Sequence, residues 1–519
     1  MGEGVAAGTA PTAAVAQTAA PGWRGRASWG LVVGVLSLGM LLRLMDLTDE
    51  PLDFHPMPQL HRALIARAMY LRSSAPAGPG AGAVQASVGA YEPPMLERLV
   101  AWSYQAAGGE YPWIARVWNA AFWLAAGWTL FAMARRSTSM LGGIVTLAYF
   151  LVLPFGVQVS RAFMPDSLMV LLIVVSGYAL LRWGDTRSWA WAAVAGLATG
   201  GAILAKGRIA PLLLMTLLVF LLGDARRLRV LRDPQVWLVG TLSVVVPGIY
   251  YVVLIPGATS GWVSEGTLNV LPLLADPSFY SRWLFFLDNI VYAGVMLLAL
   301  FGTMLLPPSV RRLGLGWWIG FVAYGLLLPY NMVTHNYYNL PIVPAIALGL
   351  APVGDLLLDR VRTQTGWFRA AMVGACLLAL FYPAWRIRSV IVGQDFRAEP
   401  LGWQKIGREL PDDGPIIAIT QDYGYRLSYY GGRRVDLWPS VQDQAYAVLR
   451  GHNTSDDIGE VFDDLAGGYR YFLITNFSEL DAQVALKEYL YATYPVVIEG
   501  EGYLLFDLAS PRGTGSGGG

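Results

Sequence analysis

Apolar runs of about the 20 residues needed to cross a bilayer recur eleven times between residues 29 and 385, and no other feature limits the fold so narrowly. They fall at roughly 29–45, 113–134, 138–156, 163–181, 188–205, 209–223, 235–256, 288–306, 316–330, 338–354 and 367–385. A segment in hydrocarbon must satisfy its own backbone, so these runs predict helices. Composition agrees: 55% of the 519 residues are hydrophobic and 14% charged, against about 25% charge in a soluble domain. The formal net charge of +1 supplies no basic field for a nucleic acid. A single cysteine, Cys376, excludes an intrachain disulfide framework and a thiolate zinc cluster, and four histidines make a His-rich metal centre a poor fit.

The charges are uneven. Residues 386–519 hold 12 basic and 19 acidic side chains, which marks a water-soluble domain after a membrane domain. The expected organisation is a disordered cytoplasmic tail (1–28), a transmembrane domain (29–385) with a long first outer loop (46–112), a soluble extracytoplasmic α/β domain (386–512) and a linker or scar (513–519). The first apolar run ends in Arg43 with no small-residue cleavage site after it, so it reads as retained. With the N-terminus inside, 15 arginines fall in cytoplasmic segments, and only Arg161, Lys206, Arg208 and Arg282 in short outer loops. An odd number of spans then puts the C-terminal domain outside a cytoplasmic (inner) membrane. Within the first outer loop, 57–72 and 94–107 read as helices, the former lying in the interface with Arg62 and Arg67 toward headgroups. In the tail, strands are expected at Ile416–Thr420, Tyr471–Thr475, Pro495–Ile498 and Tyr503–Asp507, around a helix near 480–493.

Ionisable groups near a membrane are costly and point to function. Five outer segments carry them. Asp49, Glu50, Asp53 and His55 follow the first run, with prolines at 51, 56 and 58 restraining Asp53 on both sides. Glu92 precedes Pro93-Pro94. Arg161 and Asp166 share a short loop, where they would simply pair if they had no other role. Lys206 and Arg208 sit on a tight turn, against the inside bias. Thr334-His335-Asn336-Tyr337-Tyr338-Asn339 closes the set. Carboxylates together with Arg, Lys, His and Tyr suit activation of a hydroxyl and stabilisation of a phosphate leaving group.

In order and on one face, these segments resemble those of a GT-C superfamily glycosyltransferase, close to the protein O-mannosyltransferase and lipid A aminoarabinose transferase group. The likeness covers roughly residues 29–385. It rests on the acid-bearing first loop, Glu92-Pro93-Pro94, Ala115-Arg116, Arg161 through Asp166, Leu204-Ala205-Lys206-Gly207 and THNYYNLPIVP at 334–344. The resemblance implies an inverting enzyme that moves a sugar from a polyprenyl-phosphate donor to a hydroxyl of a lipid, protein or glycan. Asp53 is the first choice for the acid, with Asp49 and Glu50 as runners-up and Glu92 assisting. Lys206, Arg208, His335, Arg161 and Tyr338 are expected to hold the donor phosphate; His55, Asp166 and Tyr337 are supporting residues, with His55 near enough to tune the charge of Asp53. The family's Asp-Glu pair, counted back from Ala66-Arg67, lands on Pro58-Gln59, and the residue before Pro-Pro is acidic where the aminoarabinose enzymes carry Lys. Alternatives are a glycan ligase with a pyrophosphate-linked donor, and a lipid or sugar transporter. No cofactor is expected; a divalent metal is possible but nothing indicates one.

Overall fold

The structure, a computed structural model, describes residues 23–74, 92–223, 232–255, 267–452, 455 and 457–512. The expected linker 513–519, most of the N-terminal tail and most of the Pro/Gly/Ala stretch 73–90 lie outside these residues. Residues 23–28, expected in the tail, instead open the helix Trp23–Leu44.

Among the described residues six helices are long and apolar enough to cross a membrane, and the pair Pro277–Val291 and Ala293–Leu305, bent by 85°, makes a seventh if it counts as one span. The remaining apolar runs form Met140–Val152, Trp189–Ala205, Ala210–Leu222 and Pro308–Leu327. Each of the expected runs therefore lies mostly on helix, and the chain is a polytopic α-helical membrane protein. Two runs are less simple than hydropathy implies. Run 138–156 breaks where Pro154 starts a second short helix, Pro154–Val159, and run 288–306 straddles Tyr292, whose φ of 62° turns the chain at the bend. Close packing in place of hydrophobic exclusion holds such a bundle together. A Cβ on Gly302 would meet the carbonyl oxygen of Gly349 at 2.0 Å, so these two helices touch backbone to backbone.

The helices expected in the first loop are Pro56–Ser74 and Met95–Ala107. They pack on each other through Leu60, Leu64, Leu96, Val100 and Tyr104. The expected headgroup role of their arginines is incorrect. Arg62 is buried between Glu92 and Glu97, and Arg67 is held by Glu110 and Tyr429. A buried guanidinium needs partners that lipid headgroups at the rim do not supply, and the loop folds on itself to provide them.

The tail forms a five-stranded sheet in the order β2-β1-β3-β5-β4, with β1 Ile416–Ile419, β2 Asp436–Leu437, β3 Tyr471–Ile474, β4 Val496–Gly500 and β5 Tyr503–Asp507. The first three strands pair in parallel, β5 runs antiparallel to β3 and β4. Alternation along β1 and β3 sends Ile417, Ile419, Phe472 and Ile474 to one apolar layer, and Ile416, Ala418, Tyr471 and Leu473 to the other. Strand β2, two residues long and exposed, has no apolar alternation to reveal it.

Candidate active site

The loop after Trp23–Leu44 doubles back through two left-handed residues, Asp46 (φ 45°) and His55 (φ 47°). It wraps around two buried arginines. Arg116, from the helix Trp113–Ser137, donates to the carbonyl oxygens of Asp46 (3.3 Å), Leu47 (2.9 Å), Asp49 (2.7 Å) and Glu50 (3.0 Å). Arg161 donates to the carbonyl oxygens of Arg43 (2.9 Å), Met45 and Asp46 (3.3 Å). Carbonyls curled onto a guanidinium leave the loop little freedom. Asp53 completes the arrangement, 3.3 Å from Arg116 and 3.9 Å from Arg161, with Gln59 donating to it at 3.4 Å. Its side chain stays 15% exposed, enough to meet a substrate.

The two alternative acids face elsewhere. Asp49 accepts the backbone N–H of Phe396 at 2.9 Å, and Glu50 accepts the Tyr430 hydroxyl at 3.0 Å, so both hold the tail domain against the loop. Burial pushes the Glu50 carboxyl above its usual range, although the Tyr430 hydrogen bond opposes it. Glu92 is paired with Arg62 and lies close enough to act on Arg208 by charge.

A second cluster gathers around Lys206. Its ammonium contacts Asp166 at 2.7 Å and lies 4.6 and 4.7 Å from the ring centres of Tyr337 and Tyr338. Arg161 and Asp166 therefore do not pair with each other, and Arg161 joins Asp53 rather than the Lys206 group where a donor phosphate was expected to need it. Arg208 donates to the Tyr338 hydroxyl at 2.7 Å. Gly207 between the cations is required by close approach, since a Cβ there would meet the Tyr251 ring at 2.9 Å.

The histidines join the clusters. His55, expected to tune Asp53, instead meets the Asn336 side-chain oxygen at 2.9 Å, and its ring centre lies 4.9 Å from that of Tyr337. The Thr334 hydroxyl donates to the carbonyl of Tyr330 at 2.7 Å, so it accepts from Nδ1–H of His335 at 2.8 Å. Nε2 of neutral His335 is then a lone pair, and Nδ1 of His55 likewise, because the Asn336 oxygen takes Nε2–H. Desolvation lowers both imidazoles, His335 to about 4 with the charges of His55, Lys206 and Arg208 adding to it. The two rings therefore offer hydrogen-bond acceptors near neutral pH, which suits sugar hydroxyls.

An apolar cavity of about 370 Å³ opens beside Arg208, walled by Pro211, Leu214, Val244, Pro247 and Leu327. Over the polar side, the tail domain closes in through His61 against Tyr425 (5.3 Å between rings) and Tyr330 stacked on Tyr446 (4.2 Å). Among the described residues no group of three or more His, Cys, Asp or Glu side chains could hold a metal ion. Sequence reasoning missed the parts that Gln59, Phe396 and Tyr430 play here, and it met Arg116 only through a family likeness. Arg116 carried a usable signal, a charge three residues into an otherwise apolar run. The tail residues carried none, because their partners are more than 300 positions away.

Comparison with known proteins bears on the fold that carries these residues. Residues 91–251 match the family described as dolichyl-phosphate-mannose-protein mannosyltransferase. The structure is similar to that of ArnT from Cupriavidus metallidurans bound to undecaprenyl phosphate, with a TM-score of 0.55 at 16% identity, covering 92% of this chain and 98% of that one. It is also similar to the archaeal oligosaccharyltransferase AglB from Archaeoglobus fulgidus in complex with an inhibitory peptide and a dolichol-phosphate, with a TM-score of 0.57 at 13% identity, over 91% and 73% of the chains. The comparison with curated proteins found no match.

Proposed function

Starting from the GT-C fold that this chain shares with those membrane glycosyltransferases, we propose that it transfers a sugar from a polyprenyl-phosphate donor to a hydroxyl of a lipid, protein or glycan, with inversion, at the outer face of the membrane. One observation carries the reading: an arginine-held carboxylate, Asp53, shares its loop with His55, whose ring packs on Tyr337 of the Lys206–Arg208–Tyr338 cluster, and Arg208 of that cluster edges an apolar cavity.

Chemistry follows from the parts. The polyprenyl tail lies along the apolar cavity, and Arg208 at its edge brings the phosphate to Lys206. The acceptor oxygen attacks the anomeric carbon as the bond from that carbon to the phosphate oxygen breaks. The bonding pair leaves with the polyprenyl phosphate, whose growing charge Lys206 and Arg208 stabilise. Asp53 takes the hydroxyl proton as the new bond forms, because a hydroxyl is too weak an acid to ionise beforehand. A single displacement inverts the anomeric centre. Two cations, one already matched by Asp166, suit one phosphate better than two, which favours this donor over a pyrophosphate-linked one.

Purified protein incubated with radiolabelled polyprenyl-phosphate sugars and membrane or glycan acceptors tests the reading. Label is expected to move to the acceptor with release of polyprenyl phosphate. Turnover only with pyrophosphate-linked donors would point to the ligase, and movement of intact donor across vesicles without transfer would point to a transporter.

A further inference from the structure

Helix Asp166–Thr186 has the candidate site at one end and an arginine-lined crevice at the other. Twenty-one residues of helix span about 30 Å, the thickness of the hydrocarbon core, so the crevice sits at the headgroup level of the opposite leaflet. Trp189, more than half exposed, lies at the same level, where aromatic side chains border the headgroups.

The crevice consists of two adjoining cavities of about 120 and 80 Å³, which share Asp185 and Ser309. Arg136 and Arg182 line the first, Arg187 and Arg312 the second. Among the described residues Asp185 is the single acid in either wall, and it is paired with Arg136 at 2.9 Å. Arg187 pairs with Asp233 at 3.4 Å, outside the cavities. Arg182 differs from both. It stands over the Trp191 ring at 5.5 Å, pairs with no carboxylate among the described residues, and its Nε is buried without a hydrogen-bond partner. A buried donor left unpaired costs free energy that an anion would recover. Between the cavities the helix Pro308–Leu327 begins with no acid in its first turn and no side-chain cap, so its positive end also faces them.

We propose that this crevice binds a phosphate group, supplied by an anionic membrane lipid of the leaflet opposite the candidate site. Basic pockets between helix ends at headgroup depth are suited to lipid phosphates. The lipid's acyl chains run down the bundle while the phosphate reaches Arg182 and Arg136. The inference is independent of the glycosyl-transfer reading.

Delipidated full-length protein is placed in nanodiscs of phosphatidylcholine alone or with added phosphatidylglycerol, and bound lipid is counted by native mass spectrometry alongside the thermal unfolding midpoint. Phosphatidylglycerol is expected to be retained selectively and to raise the midpoint. Arg182→Gln is expected to weaken retention about tenfold, the loss of one charge-assisted contact, while Arg182→Lys keeps most of it. In phosphatidylcholine alone Arg182→Gln should unfold like the wild type, which separates binding from folding. Inorganic phosphate is titrated in parallel: a phosphate-only effect, lost in Arg182→Gln, keeps the phosphate site but assigns it a soluble ligand. Equal retention of phosphatidylglycerol by wild type and Arg182→Gln would overturn the proposal.

Discussion

The two ends of the membrane bundle use the same residue, arginine, in opposite ways. At the candidate site Arg43, Arg116 and Arg161 are at most 2% exposed, and backbone carbonyls and Asp53 surround them. At the far end Arg136 and Arg187 have side chains 45–50% exposed, each with one acid. Burial, not the number of charges, decides how much structure a cation commands. A desolvated guanidinium needs partners for most of its donors, so it organises a loop, whereas a solvated one is free to swing and contributes little.

The largest effect expected from this contrast is at Asp53. Asp53→Asn keeps the shape but removes the proton acceptor, and transfer should fall by about 10²–10⁴-fold with donor binding near normal, read as kcat against donor Kd. Full activity there, with loss in Asp49→Asn, would reverse the choice of acid and break the distinction between a catalytic and a docking carboxylate.

Lys206→Met comes next. It leaves Asp166, which is fully buried, without its cation, and breaking such a pair costs about 3–5 kcal/mol, visible as a lower unfolding midpoint. Adding Asp166→Asn should restore much of the midpoint but not the turnover, which separates the pair's structural part from its contact with phosphate.

A smaller effect is tied to pH. His335 in the fold is harder to protonate than in the unfolded chain, so its contribution to stability is complete above about pH 6.5 and lost as pH falls toward 4. The unfolding midpoint of wild type should drop over that window, and His335→Asn should flatten the drop. Smallest of all is Arg136→Gln. The pair with Asp185 is half exposed, so the change should stay within about 1 kcal/mol and shrink further in salt. A larger loss would mean that exposed arginines here organise as much structure as buried ones.

Much of this was legible from local pattern. Helices follow hydropathy, the sheet follows alternation in Ile416–Ile419 and Tyr471–Ile474, and the segments around Asp53, Lys206 and His335 do meet. What stayed hidden was pairing. Sequence places Arg161 five positions from Asp166, yet the two serve different clusters, because Lys206 claims Asp166 from across a helix boundary while loop carbonyls claim Arg161. It places His55 two positions from Asp53, yet a left-handed backbone turns the ring to Asn336. Partner choice among equally plausible charges depends on which side chain is desolvated beside which, and that is a property of the assembled fold.

The clasp between the first loop and the tail also governs the order of assembly. Asp49 and Glu50 wait for Phe396 and Tyr430, which emerge from the ribosome 347 and 380 residues later. Through most of synthesis the acid loop has its arginines but not its cover, and the long closure that completes it comes at the end, when the slowest contacts of a fold are made. A nascent chain that stalls inside the tail therefore carries a finished bundle with an unsealed acid segment, and resistance of residues 46–55 to protease should appear only after β5 has been made.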